Sequence, residues 1–83
     1  MSRWLIKYCN ETNLEVFNLN IIDCEDNCLE LYRDIVREKY NYYLEAVSRG
    51  SKDEGSGYVY YNNSCLKIVE ANDIEEALND FFF

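Results

Sequence analysis

The chain has no histidine, no proline and only three glycines among its 83 residues, and eight basic residues face sixteen acidic ones. Without histidine, a general base near neutral pH must be a carboxylate or a cysteine with a displaced pKa. The shortage of bases leaves a net charge of −8 and a pI near 4.3. That balance argues against direct binding of nucleic acid, whose affinity comes mostly from Lys and Arg on phosphates. No stretch approaches the roughly 20 apolar residues of a membrane span. The opening Met1-Ser2-Arg3-Trp4-Leu5-Ile6-Lys7 lacks the apolar run of a signal peptide. The expectation is a cytoplasmic protein without a membrane partner or a cofactor. In that setting Asn10-Glu11-Thr12 and Asn62-Asn63-Ser64 read as turns, not glycan sites.

Cysteines are present but badly spaced for a metal. Cys24 and Cys28 are four apart, and Cys9 and Cys65 stand alone. A four-thiolate zinc site wants two CxxC-like knuckles. The thiols read instead as small packed apolar groups. A zinc-holding regulator remains as the minor alternative.

What is present is enough apolar material for one core. At 48% hydrophobic, residues 1–83 make a single domain, since two would each be too small. Residues 3–22 alternate on either side of Asn10-Glu11-Thr12-Asn13 and read as a hairpin. With Cys9 facing Leu14, Trp4, Ile6, Tyr8, Phe17, Leu19 and Ile21 share one face. Residues 27–48 change period. Leu29, Tyr32, Val36, Tyr40, Tyr43 and Val47 form one helical stripe, widened by Leu31, Ile35 and Leu44, with Asn27 and Glu30 as a capping box.

All three glycines fall within 49–57, a flexible connector. Its Gly50 and Gly55 imitate the start of a phosphate loop, but Ser56-Gly57 follow where Lys and Ser/Thr belong, and Asp53 and Glu54 repel phosphate. Residues 58–71 form a second hairpin across Asn62-Asn63, pairing Tyr61 with Ser64 and Val59 with Leu66. Val59, Leu66 and Ile68 then face inward, and Tyr58, Tyr60, Lys67 and Val69 outward. Asn72 caps a last helix over 73–82, with Glu75 at its third position.

The two halves resemble one another, since Leu19-Asn20-Ile21-Ile22-Asp23-Cys24 matches Leu66-Lys67-Ile68-Val69-Glu70-Ala71. The expected fold is therefore α+β, ββαββα, a four-stranded antiparallel sheet with both helices on one face. That is the element order of a permuted ferredoxin-like sandwich, and the order alone carries no function.

The sequence offers no catalytic constellation. Cys28 opens the first helix, where the dipole lowers a thiol pKa, but Glu25, Asp26 and Glu30 oppose that effect. Glu75 and Glu76 are adjacent on a helix and point apart. The acids are concentrated. Asp23, Glu25, Asp26 and Glu30 lie in a segment without a base, as do Glu70, Asp73, Glu75, Glu76 and Asp80. Both clusters open a helix, where negative charge is favoured. That accounts for some of them but not for an excess of eight. Spaced carboxylates on a rigid body imitate a phosphate row and steer toward a basic partner. Tyr58 and Tyr60 are either anchoring area on an open sheet face or lie beneath a covering element.

In size, in the acids at 23–30 and 70–80, and in lacking catalytic residues, the chain resembles the small acidic phage-encoded inhibitors of bacterial defence, including anti-CRISPR proteins and DNA mimics. The resemblance is one of type, with no specific motif. It implies a non-enzymatic inhibitor in the cytoplasm of a bacterial host. The partner would be a basic surface of a nucleic-acid-handling protein, such as a CRISPR effector or nuclease. The alternative is a homodimer formed through the open sheet face or the Phe81-Phe82-Phe83 end.

Overall fold

The computed structural model describes residues 1–10, 12–24 and 29–83. Its elements are β1 (Ser2–Cys9), β2 (Asn13–Asn18), a 3₁₀ helix (Leu19–Asp23), α1 (Glu30–Arg49), β3 (Ser51–Lys52), β4 (Val59–Tyr61), β5 (Ser64–Ala71) and α2 (Ile74–Phe82). The fold is α+β. The sheet is antiparallel in the order β2-β1-β5-β4-β3, so it has five strands instead of the expected four. The extra strand comes from the 49–57 connector, where Ser51 and Lys52 pair with Tyr60 and Val59.

The second hairpin has the expected register, with Val59 opposite Leu66 and Tyr61 opposite Ser64. Asn62 and Asn63 both take positive φ, 50° and 64°, the conformation a two-residue primed turn requires and Asn tolerates. The first hairpin differs by one residue. Cys9 pairs with Asn13, not Leu14, around an Asn10 at φ 53° whose side chain accepts from the Thr12 amide. A one-residue slip turns every side chain of a strand to the other face. Phe17 therefore sits opposite Leu5 and away from Ile6.

The strand also stops at Asn18, whose side chain accepts from Asn20 N at 3.0 Å and caps the 3₁₀ helix. The expected likeness of Leu19–Cys24 to Leu66–Ala71 is not realised, because the first segment coils and the second is strand.

The two helices lie on opposite faces of the sheet, correcting the expectation of one shared face. Ile6, Val69 and Ala71 pack with Ala77 and Phe81 of α2, joined by Trp4, Tyr8, Tyr58 and Cys65. Leu5, Phe17 and Leu19 pack with Val36 of α1, and Val59 and Leu66 pack with Ala46. Neighbours on a strand point to opposite faces, so Leu5 and Ile6 address different helices. The result is three layers, helix–sheet–helix, with each face of the sheet covered in part by one helix.

α1 begins at Glu30, later than the expected 27, and Asn27 lies outside the described residues. Its N-cap position is Leu29, with no side-chain cap. Leu29 and Leu31 are 79% and 75% exposed, so neither belongs to the buried stripe. That stripe is Val36 and Ala46, flanked by half-buried Tyr32, Tyr40, Tyr43 and Val47. The helix ends at Gly50, where a Cβ would lie 2.5 Å from Ala46 O and 2.7 Å from Tyr60 O. The turn into β3 has no room for a side chain there.

α2 is capped by Asp73 and not by Asn72. Asp73 Oδ1 accepts from Glu76 N at 2.8 Å, and Asn72 Nδ2 donates to Glu76 Oε2 at 3.2 Å. The capping pair is thus one residue later than expected, Asp73 with Glu76.

Candidate protein-binding surface

β1 begins at one end of the sheet, and three other features meet it there. Arg3 pairs with Glu70 and Ser2 with Ala71, so the turn into α2 is at this end. Asn20 of the 3₁₀ helix accepts from Arg3 N and donates to Ser2 Oγ, which brings Asp23 alongside. α1 starts against the 3₁₀ helix, with Tyr32 and Val36 packed on Leu19 and Ile22. Both helix N-termini therefore open at the same end, although from opposite faces.

Asp23, Glu30, Glu70, Asp73 and Glu75 are exposed at this end, with Glu76 half-buried beside them. Asp73 and Glu76 are engaged in the α2 cap and are structural as well as acidic. Glu70 faces the α1 side and Glu75 lies on α2, so the acids wrap around the sheet end. Asp80 is two turns along α2 and stands apart from this group. Glu25 and Asp26 lie outside the described residues.

The tyrosines fall on the α2 side. Tyr58 is half covered, because its hydroxyl donates to Phe81 O and its ring meets Phe81 edge-on at 5.4 Å. Lys67 Nζ lies 4.7 Å over the same ring. Tyr60 is 49% exposed, with its ring 6.4 Å from that of Tyr58. Desolvation, and then the neighbouring Cys65, pushes both phenols above their ordinary range. The Cys65 thiol is itself pushed up, chiefly by burial. All three are neutral near pH 7. Of the two tyrosines expected on an open face, Tyr60 alone offers substantial surface. They do not join the acidic end, since Tyr60 pairs with Cys65 near the β4–β5 turn.

That opposite end is rich in aromatic rings. A shallow groove of about 440 Å³ is lined there by Tyr8, Tyr60, Tyr61, Asn62 and Cys65 among others. On the α1 side Tyr61 meets Tyr42 at 5.7 Å, and Lys7 Nζ lies 4.4 Å over the Tyr42 ring. Sequence reading missed this pairing, since Tyr42 lies off the helical stripe. Among the described residues, no three His, Cys, Asp or Glu side chains are placed to hold a metal ion. Cys9 and Cys65 are free thiols, one strand register apart and facing opposite sides of the sheet. No described helix is long and apolar enough to cross a membrane.

No family model, curated protein or solved structure matches this chain.

Proposed function

We propose that this chain is a non-enzymatic, acidic protein-binding module, an inhibitor that occludes a basic surface of a nucleic-acid-handling protein such as a CRISPR effector or nuclease. The observation that carries the reading is the convergence of Asp23, Glu30, Glu70, Asp73, Glu75 and Glu76 at the one sheet end where both helices start. Carboxylates held on four different elements around a rigid end present a fixed negative field, which speeds encounter with a cationic surface and fixes its orientation. Asp80 and the tyrosines lie outside that end and are not needed for the electrostatic contact.

The test is inhibition of nucleic-acid cleavage, measured on a panel of RNA-guided effectors and nucleases. Glu70→Lys combined with Glu75→Lys changes exposed acids outside the α2 cap, so the fold survives. The expected result is at least a tenfold loss of inhibition in the double variant. Wild-type inhibition should also weaken as salt rises from about 0.1 M to about 0.5 M, where the Debye length shrinks to roughly 4 Å. Inhibition that ignores both changes, or no inhibition anywhere in the panel, overturns the reading.

A further inference from the structure

We propose that two copies of this chain join edge to edge through β2, forming one continuous antiparallel sheet. The two edges of the sheet are unlike. β3 is two residues long, a protected edge by brevity. β2 is six residues, Asn13-Leu14-Glu15-Val16-Phe17-Asn18, and among the described residues it is paired on one side only. Of the usual safeguards of an edge strand it has a single charge, Glu15, with no lysine, no proline and a regular register without a bulge. Its outer backbone groups are a template for another strand.

Partly exposed apolar side chains flank this edge on both faces. On the α2 side Leu14 is 43% exposed and Val16 is half-buried. Leu14 stays uncovered and Val16, packed against the Ile6 and Phe81 cluster, is covered only in part, because a helix about 10 Å wide spans roughly two strands at 4.8 Å spacing, and α2 sits on β5 and β1. On the α1 side Lys39 Nζ reaches Glu15 Oε1 at 3.5 Å, which fixes the flank of α1 that overhangs β2. Ile35 and Leu31 lie one and two turns before Lys39 on that flank, 38% and 75% exposed.

Charge permits a second copy along this edge and selects its register. Glu15 is the one charged residue of β2, and Lys39 neutralises it. Two molecules of net charge −8 can therefore approach along this edge, and antiparallel pairing sets their acidic ends at opposite ends of the seam. Antiparallel partners must share a face, so a twofold axis passes through a residue. Centred on Glu15, it would oppose two carboxylates. Centred on Val16, it sets Val16 against Val16 of the second copy, Leu14 against Asn18 and Glu15 against Phe17. The second arrangement avoids the like-charge contact that destabilises cross-strand pairs.

Sedimentation equilibrium tests this independently of inhibition. The expected species is a dimer of 9.9 kDa chains that tightens as salt rises, because salt screens the mutual repulsion. A basic partner has the opposite salt dependence, so failure of one proposal is distinguishable from failure of the other. Leu14→Lys with Leu31→Lys alters exposed side chains only. Circular dichroism should remain native, while the dissociation constant rises at least tenfold. Val16→Cys should give an interchain disulfide with diamide well above the wild-type background, and Glu15→Cys should not, since directly opposed residues lie within disulfide reach. A monomer at every concentration up to about 1 mM, or a dimer indifferent to the lysine pair, overturns the proposal.

Discussion

α1 and α2 solve the same problem, covering one face of a sheet, by different means. α2 has nine residues, a side-chain cap at Asp73, and Ala77 and Phe81 fully buried against β1 and β5. α1 has twenty residues and no side-chain cap, and its buried positions are Val36 and Ala46. Its contact is completed by tyrosines that remain partly in water. A short helix with one sharp apolar stripe depends on every residue in that stripe. A long oblique helix distributes its contact along about 30 Å and leaves leucines to spare. The spare leucines are the surface on which the proposed dimer rests.

Substitutions sharpen the contrast. The largest effect is expected at Phe81, buried and in ring contact with Tyr8, Tyr58 and Phe82. Phe81→Ala should cost about 3–5 kcal/mol, read by urea denaturation. A smaller loss follows from Asp73→Ala, which removes the acceptor for Glu76 N and should cost about 1 kcal/mol. The smallest is on α1, where Leu44 is exposed on the flank away from β2. Leu44→Lys should stay within about 0.5 kcal/mol of wild type by the same measurement. A large loss at Leu44, or a small one at Phe81, would erase the distinction between the helices.

The pattern of success in the sequence reading follows from the range of each signal. The Asn62-Asn63 hairpin was legible because its turn chemistry is local and admits one register. The helices were legible from their period, with starts displaced by one to three residues and neither N-cap position the one expected. The first hairpin was not, because Asn10-Glu11-Thr12-Asn13 offers more than one place to turn. The slip it hid moved Phe17 to the other face. The same ambiguity made two unlike halves look like a repeat, and from that repeat came the expectation of both helices on one face. The acidic site was legible as two clusters along the chain. Their meeting at one sheet end was not, because it depends on β1 lying between β2 and β5.

By itself the sequence determined an acidic α+β chain with two groups of carboxylates near its helix starts, because charge and period are carried by residues a few positions apart. Tertiary structure alone decided which face each helix covers, that Tyr58 lies against Phe81, and that β2 is the long open edge. Those outcomes depend on strand order and on single-residue registers, and neither is encoded within any one segment.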